Sequence, residues 1–152
     1  MGSKIIKSQS SKLPLAGGTM TGDINSADNT IGFTKHATSS GTNVTIDFRD
    51  GHKADLDMSS AITNLSLQFP AKSGNFILVI KQDGSARTIT NYYALDSGGS
   101  NANNDGGTAG DVRWGGGQEP SLSGGSNRRD IVSFYWDATD EVCYGSVSLN
   151  FF

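Results

Sequence analysis

Cysteine occurs once, at Cys143. No disulfide can close within one chain, and no thiolate metal site can be built from one sulfur. Histidine is nearly as scarce. His36 and His52 are the two present, and neither stands in a metal-ligand spacing, so each reads as a solvated loop or strand-edge residue. Glutamate occurs only at Glu119 and Glu141, both in expected loops. Paired carboxylates for glycoside hydrolysis would have these two glutamates to draw on, although aspartate could also serve. No Gly-x-Ser-x-Gly is present, and Gly115-Gly116-Gly117 lacks the Lys-Ser/Thr of a phosphate-cradling loop. Excess positive charge is missing too: 12 Lys and Arg against 15 Asp and Glu give a net charge of -3 and pI 5.2. A protein that tracks phosphate backbones needs clustered bases, so nucleic acid is not an expected partner. The longest apolar run, residues 76–80, is far too short to span a bilayer, and no basic-then-apolar leader opens the chain. The expectation is a non-enzymatic protein compatible with a reducing cytoplasm during synthesis, without secretion signal, membrane insertion, cofactor or metal.

Apolar side chains make up 35% of 152 residues while Gly alone counts 20, which leaves little surface to bury for one domain of this length. Oligomerisation would relieve that shortage. The acidic residues are nearly all Asp, and the polar remainder is mostly Ser, Thr and Asn, which favour turns and strands over helix interiors. The composition predicts an all-β protein.

Residues 1–12 are rich in Ser and Lys and too poor in apolar side chains to fold alone, and residues 1–30 read as a linker and connector. Residues 31–152 read as the head. Within it Val44, Ile46 and Phe48 alternate with Thr45, Asp47 and Arg49; Asp50-Gly51 turns the chain; Ala54, Leu56 and Met58 alternate with Asp55 and Asp57. The period of two predicts a hairpin over 43–58 with one face in the core. Leu65, Leu67 and Phe69 continue the alternation. Residues 76–82 are apolar on both faces, as in a central strand covered on two sides, and Asp83-Gly84 predicts a second hairpin over 75–93.

Residues 96–110 contain no large apolar side chain, which predicts a long exposed loop. Val112-Arg113-Trp114 reads as a short strand, Leu122 as an anchor, residues 131–136 as the strongest strand, and residues 142–152 as a last one with Val147, Leu149 and Phe151 alternating. Many strands, frequent turns and little or no helix predict a β-sandwich or jelly-roll-like head.

Two stretches carry a family likeness. Leu13-Pro14-Leu15-Ala16-Gly17-Gly18-Thr19-Met20-Thr21-Gly22-Asp23-Ile24 resembles a short repeat near the shafts and heads of bacteriophage tail fibres. In the last half, Gln82-Asp83, Trp114-Gly115-Gly116, Pro120 and Asp130-Ile131 with Phe134 resemble the C-terminal domain of many tail-fibre and related virion proteins. The resemblance implies a homotrimeric distal fibre domain of the phage tail, attached to other tail or baseplate proteins and binding a surface glycan or outer-membrane receptor. There is one copy of the repeat and no long shaft, so a short fibre, a tip carried by another fibre, and a fragment all stay open.

Aromatic rings stack on the apolar faces of sugars, and Asn, Asp and Arg bond their hydroxyls. Tyr92, Tyr93, Asn101, Asn103, Asn104, Asp105, Asp111 and Arg113 are the candidate receptor- or glycan-binding residues. Trp114 and Trp136 offer stacking rings as well, but they flank or end strands, and the core or a subunit interface is the expected place for both. Asp47, Asp50, Asp55 and Asp57 lack the loop geometry of an EF-hand and read as a solvated face and a turn. Cys143 is expected to be a buried or half-buried small side chain. A structural virion protein, such as a baseplate, adaptor or capsid-decoration component, is the alternative. Tailspike-like depolymerisation is disfavoured, because such enzymes carry long solenoids that this length excludes.

Overall fold

Among the described residues, alternation of apolar and polar side chains produces nine strands, with helix confined to two 3-10 turns of three residues. The computed structural model describes residues 35–152. The connector and linker expected over residues 1–30 lie outside the described residues.

The strands are β1 (His36–Ser39), β2 (Asn43–Asp47), β3 (Lys53–Met58), β4 (Ile62–Gln68), β5 (Gly74–Gln82), β6 (Ile89–Leu95), β7 (Val112–Trp114), β8 (Arg129–Asp137) and β9 (Val142–Phe151). They form a six-stranded sheet in the order β1-β3-β5-β8-β9-β7 and a three-stranded sheet in the order β2-β4-β6. Through β6 the chain changes sheet at every turn, and each strand pairs in parallel with the one two before it. The turns stack as well: Phe48 N–H donates to Gln68 O at 2.8 Å, and Phe69 N–H to Leu95 O at 3.0 Å. The result is a short parallel winding, three strands deep in each sheet. Strand β8 then runs antiparallel between β5 and β9, and β7 pairs in parallel with β9 at the edge.

All-β is therefore the class. The connectivity departs from the antiparallel strands of a jelly roll, because five of the seven strand pairings are parallel. Neither expected hairpin exists. β2 and β3 lie in different sheets, and so do β5 and β6. The alternation of period two is the same whether a turn returns the chain along its own strand or hands it to the facing sheet, so the pattern could not separate the two. The long solenoid excluded on length has a short counterpart in this winding.

One core lies against both sheets. Ile46, Leu56, Leu67, Leu78 and Val132 are all wholly buried members of a single apolar cluster. A one-residue slip of β5 would expose Phe76, Leu78 and Ile80 together, at about 1.5–3 kcal/mol each, so burial fixes the register. One end of the core is aromatic: Phe69 stacks on Trp136 at 5.0 Å and on Phe48 at 5.4 Å. Trp136 is buried, and its Nε1–H donates to Pro70 O at 3.0 Å.

Two further expectations need correction. Residues 96–110 are mostly exposed, as expected, but they are also pinned: Ala102 is wholly buried, and bridges Leu95–Asn101 and Tyr93–Asp111 tie both ends to β6. A methyl side chain was enough to anchor it. At the chain end, Val147 packs against the core but Leu149 and Phe151 are exposed, because a register shift at Arg129/Ile131 breaks the alternation there.

Candidate functional site

Residues 103–105 begin the site. Asn104 and Asp105 both adopt positive φ, at 57° and 49°, in the left-handed region that Asn and Asp tolerate best. The loop is held there from outside. Asn104 N–H donates to Glu141 O and Asp105 N–H to Asp140 O, each at 3.0 Å, and Asn103 N–H donates to Glu141 Oε2 at 3.0 Å. The loop is thus fastened to the tip between β8 and β9. Gly107 N–H closes the turn onto Asn104 O at 2.8 Å, and the Arg113 guanidinium donates to the same oxygen at 2.7 Å.

Alternation along β7 buries Val112, exposes Arg113 and leaves Trp114 half-buried. The Trp114 ring lies so close to Gly145 that a Cβ there would fall 2.6 Å from Cζ3. It also meets Tyr92 edge-on at 5.0 Å. Gly116 and Gly117, with φ of 82° and 73°, then turn the chain toward Glu119.

Between these segments lies an open cleft of about 440 Å³, lined by Asn104, Thr108, Asp111, Arg113, Trp114 and Glu119, with Gly107, Val112 and Gly117. Two polar atoms among its lining side chains are buried without a hydrogen-bond partner among the described residues: Asn104 Oδ1 and Trp114 Nε1. Tyr92 Oη, in the ring against Trp114, is a third. Burial pushes the Tyr92 hydroxyl pKa up, with Glu119 and Asp130 adding to the effect, so the group stays a neutral phenol. Leaving a buried donor or acceptor unmade costs about 1–3 kcal/mol, which a water or ligand hydroxyl in reach would recover.

Of the expected site residues, the cleft brings together Asn104, Asp111 and Arg113. Tyr92 instead belongs to the core, 2% exposed. Tyr93 is half-buried in its bridge to Asp111, and Asn101, Asn103 and Asp105 are exposed outside the lining. Glu119 is the addition, and Trp114, weighed as a stacking ring but expected in the core, joins it. Trp114 was assigned to the core or a subunit interface on its strand position, yet half-burial lets one ring serve both core and cleft. Glu119 stands in a Gly- and Pro-rich stretch without periodicity, so no sequence signal aimed it here.

The chain was compared with family models, curated proteins and solved structures. Nothing matches.

The exposed lining groups offer hydrogen-bond acceptors (Asp111, Glu119), a donor (Arg113) and, from Trp114, part of an indole. A neutral ligand with several hydroxyls meets that set well. Among the described residues no three His, Cys, Asp or Glu side chains gather to hold a metal ion. Cys143 is buried and its thiol pKa is pushed up by that burial, which keeps it protonated and unreactive at neutral pH.

Proposed function

We propose that this chain is a phage tail-fibre or receptor-binding head that attaches reversibly to a host cell surface, with the cleft beside β7 as its contact for a surface glycan or outer-membrane receptor. What carries the reading is the open cleft in which the exposed Asp111, Arg113 and Glu119 stand beside the half-buried Trp114. The tail-fibre-like stretch at residues 13–24 supports the setting on a virion. In a homotrimer three weak sites would act together, raising apparent affinity by roughly 10²–10⁴ without new contacts. The contact is adhesion without chemistry.

Labelled protein is expected to bind host cells and compete with virions, and the exposed-residue variants Asp111→Ala and Glu119→Gln are expected to bind at least about tenfold more weakly at unchanged fold. Failure of the wild type to bind cells, or equal binding by both variants, would sink the reading. Release of reducing ends from host capsule would replace adhesion by depolymerisation.

A structural virion role is the second reading. It rests on the exposed Leu149, Phe151 and Phe152 at the end of β9, an apolar edge suited to docking on another tail or baseplate protein. Binding to purified virion components with none to cells would favour it.

A further inference from the structure

Exposure singles out a pair of rings next to the cleft. Tyr135 and Tyr144 lie opposite one another across the β8–β9 ladder, 6.3 Å apart and 26° from parallel, 44% and 45% exposed and outside the core cluster. Cross-strand aromatic pairing steadies a sheet, but it asks nothing of the groups around the pair.

Those groups are polar, and the register places them. Asn75 is the neighbour of Tyr135 on β5, and Arg113 is the neighbour of Tyr144 on β7, so Asn75, Tyr135, Tyr144 and Arg113 make one exposed row across four strands. Two residues along, Ile77, Ser133 and Ser146 make the next row on the same face. An open depression of about 380 Å³ has Asn75, Tyr135 and Tyr144 of the first row and all three residues of the second in its lining. Rings that can lie against the C–H face of a sugar are thus set beside an amide and two serine hydroxyls, which both donate and accept.

Arg113 joins this depression to the cleft. It ends the first row beside Tyr144 and also lines the cleft, so the two hollows adjoin without an intervening strand. Strands stand about 4.8 Å apart, so the row is roughly 14 Å long, enough for about three units of an extended saccharide.

We propose that Tyr135 and Tyr144, with Asn75, Ser133 and Ser146, form a second saccharide subsite, and that one glycan chain runs from the cleft past Arg113 and across the two rings. The inference rests on the reading of the cleft as a glycan contact, and it fixes the ligand as a chain of several units rather than a single sugar.

Size-graded fragments of the host's surface polysaccharide are the probe, and titration calorimetry on the full chain is the measurement. Wild-type affinity is expected to rise at least about tenfold from single sugars to fragments of about four units. Tyr135→Ala with Tyr144→Ala is expected to bind long fragments no better than short ones. Ser146→Arg, which keeps both rings and fills the depression, is expected to do the same, and it decides the matter if the tyrosine variant does not fold. Affinity that does not grow with length in wild type, or a gain that survives in a folded variant of either kind, overturns the proposal and leaves the cleft as a contact for one sugar. Binding to an outer-membrane protein with none to any fragment overturns it together with the glycan reading of the cleft.

Discussion

Gly145 has only hydrogen where the six-membered ring of Trp114 lies, and that contact sets how Trp114 faces the cleft. Gly145→Ala would put a methyl 2.6 Å from Cζ3, so the indole or β9 must shift. Such overpacking costs about 1–3 kcal/mol. The variant is expected to lower the denaturation midpoint and to change tryptophan fluorescence, and an unchanged spectrum would show that the ring is not held by this contact. Asp130, 1% exposed, makes a comparable point for a polar group. Its carboxylate accepts Ser123 N–H at 2.7 Å and Asn150 N–H at 2.9 Å, joining the segment before β8 to the end of β9. Asp130→Ala leaves both donors unmade and is expected to cost about 1–3 kcal/mol for each, whereas Asp130→Asn, which keeps one acceptor, is expected to fall between. Equal denaturant midpoints for the two variants would contradict this. At this scale the sequence showed which residue types suit a sugar, but not which meet. Asn104 and Arg113 join through a main-chain oxygen, and Glu119 reaches the cleft through glycine turns, neither of which leaves a periodic trace.

Elements were legible where burial alone decides them. Strands β2 to β9 follow from alternation or branched runs, and Cys143, Trp136 and Leu122 sit against the core as expected. Pairing was not legible, because Asp50-Gly51 and Asp83-Gly84 end strands without fixing the direction of the next. What the first of these turns does is visible in its ion pair. Arg49 donates through Nε to Asp47 Oδ1 at 2.8 Å and through Nη1 to Ser97 O at 3.0 Å, so it links the β2–β3 turn to the segment after β6. The Arg49 hydrogen bonds hold the Asp47 carboxyl below its ordinary pKa. A carboxylate with a depressed folded pKa contributes stability that is complete above its unfolded pKa, near 3.8, and is lost as pH falls through the lower folded value. The pair is exposed, so the effect on global stability is small and local opening is the better readout. Amide exchange of residues 97–100, corrected for intrinsic rates, is expected to accelerate below about pH 4. Asp47→Asn should bring the same acceleration at neutral pH and abolish the acid dependence; an acid dependence that persists in it would assign the effect to other carboxylates.

Both sheets bury their inner faces in one apolar cluster, so neither has a core to keep if the other is lost. Leu67, wholly buried on the middle strand of the smaller sheet, tests that unity. Leu67→Ala removes about 2–5 kcal/mol, a large share of the roughly 5–15 kcal/mol that holds a domain together. The loss is expected to lower the midpoint reported by tryptophan fluorescence, whose probes Trp114 and Trp136 lie in the larger sheet, by as much as the midpoint reported by circular dichroism. Separate midpoints would mean that the larger sheet, with its antiparallel β5–β8–β9 portion, stands without the winding. Refolding should carry the mark of the parallel ladder as well. Every partner of β1 to β6 within the winding lies one whole circuit away in the chain, so loop closure must be met before any ladder bond forms. Stopped-flow refolding of wild type is accordingly expected in milliseconds to seconds. The two predicted hairpins would have formed in about 1–10 µs, so a dominant microsecond phase would return the chain to the local connectivity that its turn residues suggest.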